Sequence, residues 1–141
     1  MAGIERTASG VWHGDLKSGN GLIDSTSGVL REVPFTYATR FENAKGTNPE
    51  ELIAAAHAAC YSMAFSNYLS QQGHVPEEIT TRATITLDNG AINKMHLVTQ
   101  GRVPGVDAAD FKRFAEEAEK KCPVSNLLRN CLEITLDATL H

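Results

Sequence analysis

An uncharged helical stretch in the first half of the chain most constrains what this sequence can fold into. Residues 52–69 contain no Asp, Glu, Lys or Arg, and apolar side chains fall on nearly every face of a helix. A helix that is apolar all round is buried on every side rather than lying on a surface. One chain of 141 residues has too little material to wrap such a helix. We therefore expect an intertwined homodimer with the two long helices near its centre.

The ends of this long helix carry clear local signals. Asn48 can cap it, Pro49 suits the first helical position, and Glu51 stands where a capping box places its acid. The helix is predicted to run to about Gln72, with Gly73 as its C-terminal stop. The adjacent Glu50 complements the positive end of the helix dipole.

The rest of the chain reads as strands and shorter helices. Residues 6–41 are predicted to form strands separated by turns, including one over 29–41 that Pro34 marks as an edge or a bulge. A hairpin of residues 82–87 and 92–103 is predicted around Asn89-Gly90. A helix capped by Asp107 is predicted to bury Phe111, Phe114, Ala115 and Ala118, followed by a short helix after Cys122 and a last strand from Glu133. This order predicts an α+β protein, and the length predicts a single domain over residues 1–141.

Composition excludes several classes of partner. The formal charge is −4 and the Lys and Arg residues are scattered, which gives no basic footprint for nucleic acid or an anionic membrane. The N-terminus lacks the apolar run of a signal peptide, and no uncharged apolar stretch reaches the ~20 residues of a membrane span. Three cysteines, an odd number, argue against a structural disulfide framework. We expect a soluble, cytoplasmic protein.

Cys60 lies within the apolar helix and would need a nearby cation to become reactive. It lies about twelve residues into the helix, beyond the reach of the N-terminal dipole, which fades within the first turn. Burial alone would raise the pKa of its thiol. Arg stays charged when desolvated, and Arg40 is the nearest candidate in sequence. A buried Arg in turn needs a carboxylate, which Glu50 can supply.

Helix geometry leaves two ways to bring these groups to Cys60. Glu50 and Cys60 are ten residues apart, which is about 15 Å along one helix axis. Either Arg40 spans the gap, or Arg40 and Glu50 reach Cys60 of the partner subunit. We favour the second arrangement, a site shared across the dimer.

Cys122 is the second thiol with a distinctive setting. If Pro123 is the first residue of a short helix, Cys122 caps that helix and its thiolate gains from the dipole. A thiol of lowered pKa leaves more easily in disulfide exchange, which suits a resolving cysteine.

These motifs together resemble the OsmC/Ohr family, and most closely its osmotically inducible OsmC branch. The resemblance covers nearly the whole chain, and the motifs that carry it are Thr39-Arg40-Phe41-Glu42, Lys45-Gly46-Thr47-Asn48-Pro49-Glu50-Glu51-Leu52-Ile53, Ala55-Ala56-His57-Ala58-Ala59-Cys60 and Cys122-Pro123-Val124-Ser125. The family implies an OsmC-like fold, with antiparallel sheets wrapped around a long central buried helix in an intertwined homodimer.

The resemblance also implies a function and roles for four residues. The expected protein is a thiol-dependent peroxidase that reduces organic hydroperoxides, and hydrogen peroxide less well, in the response to oxidative or osmotic stress. Cys60 corresponds to the peroxidatic cysteine and Cys122 to the resolving one, with a Cys60–Cys122 disulfide as the oxidised form. Arg40 and Glu50 correspond to the activating pair. No bound cofactor or metal is implied, because an external dithiol supplies the electrons.

Simpler interpretations stand beside these. Taken alone, Cys60 would be interpreted as a small hydrophobic residue of the core. Glu50 would be interpreted as an acidic residue in the first turn that stabilises the helix through its dipole. His57 could activate Cys60, three residues further on, but a structural role is favoured because Arg already meets that need. A metal site of His57, Cys60 and Cys122 lacks a short-spaced pair of ligands. Cys131 is expected to serve packing. The alternative function is a non-enzymatic redox-sensing or ligand-binding dimer of the same fold.

Overall fold

The computed structural model describes residues 3–141. The chain divides into two compact units, Met1–Leu52 and Ile53–His141, and each is described by itself. That residues 1–141 form a single domain stays a prediction.

The first unit contains a small antiparallel sheet and a short helix. Its elements are β1 (Ala8–His13), β2 (Asn20–Ser25), β3 (Val33–Phe35) and α1 (Tyr37–Phe41), with the strands in the order β1-β2-β3. The side chain of Trp12 packs against Phe35, with 5.4 Å between the ring centroids. Gly21, between them in the sheet, has no room for a Cβ, which would lie 2.6 Å from the Phe35 ring.

The predicted strand over residues 29–41 is mostly wrong. Only Val33–Phe35 pairs with β2, and a short helix follows it. The helix begins because Thr36 and Thr39 form a reciprocal capping box, in which the Thr36 hydroxyl accepts from the Thr39 backbone N–H and the Thr39 hydroxyl accepts from that of Thr36. These local hydrogen bonds outweigh the strand preference of the surrounding Val, Phe, Tyr and Thr residues.

The long helix α2 spans Pro49–Gln71, close to its predicted bounds. The Asn48 side chain accepts from the Glu51 backbone N–H at 2.8 Å, which confirms the predicted cap. The capping box is not closed, because the Glu51 carboxylate accepts from the Thr47 hydroxyl instead, at 2.7 Å. Gly73 ends the helix with a φ of 90°, a conformation that favours glycine.

The second unit contains the rest of α2, a three-stranded sheet and two further helices. The elements are β4 (Glu78–Asp88), β5 (Ala91–Arg102), α3 (Ala108–Glu119), α4 (Pro123–Leu128) and β6 (Glu133–Leu140), with the strands in the order β4-β5-β6. The predicted hairpin is confirmed: Asn89 and Gly90 both have positive φ, as a two-residue primed turn requires. The last strand differs from the expected antiparallel pattern, because β6 runs parallel to β5.

The core of the second unit lies where α2, β5 and α3 pack together. The fully buried large side chains of α2 are Tyr61, Phe65 and Leu69; Met95 and Leu97 come from β5, and Phe111, Phe114, Ala115 and Ala118 from α3. The apolar face predicted for α3 is therefore confirmed. Burial of each large apolar side chain stabilises the fold by roughly 1.5–3 kcal/mol.

The remaining surface of α2 is partly open in the single chain. Met63 is 74% exposed, although the sequence predicts a helix that is buried on every face. Across the residues that the structure describes, no helix combines the length and apolarity that a membrane span requires.

Candidate active site

Two cysteines from distant parts of the sequence meet within the second unit. Cys60 lies on α2, and Cys122 is the N-cap of α4, followed by Pro123 at the first helical position, as predicted. Their Sγ atoms are 3.4 Å apart. Neither is in a disulfide, but the separation needs to close only to about 2.05 Å for a bond to form.

The two thiols differ in their readiness to ionise. Burial raises the pKa of Cys60, a hydrogen bond from the backbone of Val124 opposes part of that rise, and the neighbouring Cys122 adds to it. Burial also opposes the thiolate of Cys122, but hydrogen bonding from His57, from the N–H and hydroxyl of Ser125 and from Cys60 outweighs it and lowers the pKa to about 6. When the pair carries one negative charge, that charge therefore lies on Cys122.

The lowered pKa of Cys122 has causes beyond the one the sequence predicted. The expected source was the dipole of the short helix. The hydrogen bonds that lower the pKa come from His57, Ser125 and Cys60. The Cys122 side chain makes no capping hydrogen bond to α4.

Arg40 and Glu50 form the second predicted pair, within the first unit. The guanidinium donates through Nη2 to Glu50 Oε1 at 2.7 Å and through Nε to Oε1 at 3.0 Å and to Oε2 at 3.3 Å. Glu50 is buried, whereas the Arg40 side chain is 36% exposed. A forked pair of this kind fixes the orientation of the guanidinium. The carboxylate therefore holds Arg40 while part of its charge stays available.

An apolar pocket of about 210 Å³ adjoins Arg40 in the first unit. Its lining residues are mainly aromatic and aliphatic: Trp12, Leu16, Phe35, Thr36, Tyr37, Arg40, Phe41 and Pro49. Such a pocket can hold an apolar group beside a cation.

The structure thus brings the four predicted site residues together as two pairs. Cys60 lies beside Cys122, and Arg40 lies beside Glu50. Each pair lies in one compact unit. The roles assigned to the four residues, and the route by which Arg40 acts on Cys60, stay predictions.

His57 and Ser125 are the contacts that sequence reasoning did not assign to the site. His57 was expected to be structural, and Ser125 entered only as part of a motif. The His57 Nε2 lies 2.7 Å from the Ser125 Oγ, and both residues are fully buried. No local signal marks this contact, because the two residues are 68 positions apart in the sequence.

The sequence suggested that Cys131 serves packing, and the structure contradicts this. Cys131 lies in the turn before β6 and is exposed. Residues 129–132 form the turn between α4 and β6, so Cys131 lies outside the sheet. Within residues 3–141 no three His, Cys, Asp or Glu side chains are grouped to hold a metal ion.

Comparison with known proteins agrees with this geometry. Residues 42–137 match the sequence model of the family described as OsmC-like protein. The chain is 46% identical over 141 residues to the peroxiredoxin OsmC of Escherichia coli (strain K12), covering 97% of both chains. It is 27% identical to an organic hydroperoxide resistance protein of Xanthomonas axonopodis pv. citri, over 92% of this chain and 89% of that one.

Solved structures are similar over the full length. A crystal structure of an organic hydroperoxide resistance protein from Elizabethkingia anophelis superposes with a TM-score of 0.75 at 26% identity, covering 100% of both chains. The paired cysteines, the α+β architecture and these matches define the class, and the chain belongs to the OsmC family. The resemblance inferred from its motifs is thereby confirmed.

Proposed function

We propose that this protein is a thiol-dependent peroxidase that reduces organic hydroperoxides to alcohols, and hydrogen peroxide less well. The observation that carries the proposal is the 3.4 Å separation of the Cys60 and Cys122 sulfurs. Two thiols at this distance can pass between a dithiol and a disulfide with little movement. The 46% identity to a relative named peroxiredoxin OsmC supports the same activity.

The first chemical step assigns the nucleophile to Cys60. Its thiolate attacks one peroxide oxygen, the O–O bond breaks, and the sulfur is oxidised to a sulfenic acid while the peroxide is reduced to an alkoxide, which takes a proton to become the alcohol. Because burial raises the pKa of Cys60, the step requires a cation beside the sulfur. Arg40 supplies that charge and also stabilises the charge that develops on the leaving oxygen.

The second and third steps regenerate the enzyme. Cys122 attacks the sulfenic sulfur of Cys60, releasing water and forming the Cys60–Cys122 disulfide. An external dithiol then reduces this disulfide, so no bound cofactor takes part. A resolving thiol of low pKa leaves readily when the disulfide is reduced, and the pKa of about 6 for Cys122 suits that role.

The active form in this proposal is a homodimer in which Arg40 and Glu50 of one chain act on Cys60 of the other. About 15 Å of helix separates residues 50 and 60 in one chain. The exposed Met63 on α2 offers apolar surface for a partner copy. The pocket beside Arg40 would hold the alkyl group of the substrate, which favours alkyl over small polar peroxides. We place the enzyme in the cytoplasm, in the response to oxidative or osmotic stress.

The test is peroxide consumption by the wild type, Cys60→Ser, Cys122→Ser and Cys131→Ser, with cumene hydroperoxide and an excess of dithiol. We expect no turnover by Cys60→Ser, partial turnover by Cys122→Ser when a small thiol can replace it, and full turnover by Cys131→Ser, the matched control. Full activity of Cys60→Ser would overturn the scheme. One stoichiometric oxidation of wild type without turnover would favour a redox sensor instead.

A further inference from the structure

One buried hydrogen bond joins the two helices that carry the paired thiols. His57 on α2 and Ser125 on α4 have no exposed surface, and the His57 Nε2 lies 2.7 Å from the Ser125 Oγ. The Nδ1 of the same ring is buried with no hydrogen-bond partner among the described residues. The hydrogen bond to Ser125 is therefore the one that fixes this imidazole within the core. Since neither group can turn to water instead, breaking the bond is unfavourable.

This bond and the thiol contact are neighbours in the same helix–helix interface. His57 precedes Cys60 by three positions on α2, and residues at that spacing lie on one face of a helix, with about 5–6 Å between their Cβ atoms. Cys122 is the N-cap of α4, and Ser125 is the third residue of that helix. One turn of each helix thus carries one partner of the hydrogen bond and one partner of the 3.4 Å contact between the sulfurs.

The first turn of α4, which carries Cys122, is joined to α2 by this bond. The backbone N–H of Asn126 donates to the Cys122 carbonyl at 3.0 Å, so Cys122 moves together with that turn. An ion pair of Arg129 anchors α4 to the end of α3, but Arg129 is the C-cap and acts at the opposite end of the helix. Apart from contacts of the thiols, the bond between His57 and Ser125 is the side-chain hydrogen bond that joins α4 to α2 in the part of the chain that the structure describes.

We infer that the hydrogen bond between His57 and Ser125 is a positioning contact, which holds the first turn of α4 against α2 and so keeps the Cys122 sulfur within bonding reach of Cys60. The bond orders the reduced protein before the sulfurs join, so less freedom is lost when the disulfide forms. The quantity that it raises is the effective concentration of one thiol toward the other. This role rests on the proposed function, because it assumes that the two thiols form a disulfide during turnover.

The redox potential of the thiol pair separates positioning from general support of the fold. A contact that stabilises the dithiol and disulfide forms equally leaves the equilibrium between them unchanged, whereas a contact that places the thiols in advance favours the disulfide. In exchange with glutathione, the two protein thiols are oxidised to one disulfide, and glutathione disulfide is reduced to two thiols that take up the two protons. A thiol pair that is held less closely forms a weaker disulfide, so its potential is higher.

The test equilibrates the reduced protein with mixtures of glutathione and glutathione disulfide. Every protein carries Cys131→Ser, so that the third thiol cannot react. His57→Leu and Ser125→Ala each remove one partner of the bond, and the double variant removes both. Ser62→Ala is the matched control, because this α2 hydroxyl donates to Thr81 Oγ1 at 2.8 Å and not to α4. Acid quenching, alkylation under denaturing conditions and mass spectrometry give the oxidised fraction.

We expect His57→Leu and Ser125→Ala each to lower the effective concentration about tenfold at pH 7, which raises the potential by about 30 mV. The double variant should show the same shift, because each substitution deletes the same bond, and Ser62→Ala should match the Cys131→Ser parent. An unchanged potential in Ser125→Ala would overturn the inference, even if His57→Leu fails to fold. Shifts that add in the double variant would also contradict it, because the two residues would then act separately.

The direction of the shift distinguishes positioning from a change in thiol acidity. Hydrogen bonding from His57 and Ser125 contributes to lowering the pKa of Cys122 to about 6. If the substitutions acted only by raising that pKa, the reduced form would lose the stabilisation of its thiolate, and the potential at pH 7 would fall instead of rising. At pH 5, where Cys122 is mostly protonated, the tenfold loss should persist. A lower potential at pH 7, or equal potentials at pH 5, would refute the positioning role.

Peroxide turnover of the same proteins keeps the two proposals apart. If the parent forms the disulfide and Ser125→Ala raises the potential, but no peroxide is consumed, the proposed function fails and the positioning role stands. If peroxide is turned over while Ser125→Ala keeps the potential of the parent, the positioning role fails and the proposed function stands. A parent that forms no disulfide between Cys60 and Cys122 at any ratio of the two glutathione forms would rule out the positioning role.

Discussion

Cys60 and Cys122 are 62 positions apart in the chain, yet their sulfurs lie 3.4 Å from each other. α2 holds the first and the start of α4 holds the second. The core formed by α2 and α3 includes both thiols or packs against them, so the approach of the two sulfurs is fixed by the folded state. Formation of the disulfide should therefore need no rearrangement of either helix.

Loss of the Glu50 carboxylate should impair the activation of Cys60. In Glu50→Gln the Arg40 guanidinium loses its forked ion pair, and its orientation is no longer fixed. We expect kcat/KM for an organic hydroperoxide to fall by roughly 10- to 100-fold, a barrier increase of about 1.4–2.7 kcal/mol. Glu51→Gln is the control, since Glu51 is the exposed neighbour that bonds to Thr47. Equal rates for the two variants would refute a catalytic role for Glu50.

A mixed dimer distinguishes a shared site from a site within one chain. One differently tagged chain carries Cys60→Ser and the other Glu50→Ala. If Arg40 and Glu50 act across the interface, one site of the mixed dimer is complete, and we expect half of the wild-type turnover. If they act within one chain, both sites are defective and turnover should not exceed that of the parent variants. Steady-state peroxide consumption by the doubly purified dimer gives the answer.

The exposed part of α2 should mediate association of two chains. Met63 is 74% exposed, and a charge buried at that position without a partner is unfavourable. We expect Met63→Glu to shift the protein from dimer to monomer at micromolar concentration, as measured by light scattering. Val29→Glu is the control, because Val29 is 83% exposed in the turn after β2. A monomeric wild type would contradict the dimer itself.

Stability should depend on pH through Cys122. The pKa is about 6 in the folded protein and about 8.5 for an unfolded thiol, so between these values the unfolded state binds more protons. The stabilisation by the thiolate is fully present above about pH 8.5 and is lost as the pH falls through about 6. Cys60 acts in the opposite direction, because burial raises its pKa.

The measurement is urea unfolding under reducing conditions, comparing Cys60→Ser with Cys60→Ser, Cys122→Ala at pH 5.5, 7 and 9. The difference in unfolding free energy between the two should grow steadily with pH. A difference that is independent of pH would show that Cys122 is not a stabilised thiolate.

Local sequence signals predicted the ends of elements well, but not the pairings made at long range. Asn48, Gly73, Asn89-Gly90 and Asp107 act on the backbone within a few residues, so their effects could be inferred directly. The strand over residues 29–41 failed because the capping box of Thr36 and Thr39 competes with strand preference. The parallel pairing of β6 with β5 depends on the path of α3 and α4 between them, which no local pattern encodes.

The residues of the candidate site show the same difference between what local motifs predict and what only long-range packing determines. Motif resemblance selected Cys60, Cys122, Arg40 and Glu50, and the structure places them in two contacting pairs. His57 was assigned a structural role because an Arg already met the need for a group that activates Cys60. Its actual partner, Ser125, is 68 residues away, and only the packing of α4 against α2 makes that contact.

The exposure of Cys131 has a practical consequence for anyone who measures the oxidation state of this protein in cells. Cys122 is fully buried, Cys60 is half-buried and Cys131 is exposed, so Cys131 is the thiol most open to an alkylating reagent applied to the native protein, whether or not the other two thiols are joined. A single-label gel shift would then look the same for the reduced and the disulfide forms. Quantitative redox assays should denature the sample before alkylation, or start from a strain that carries Cys131→Ser.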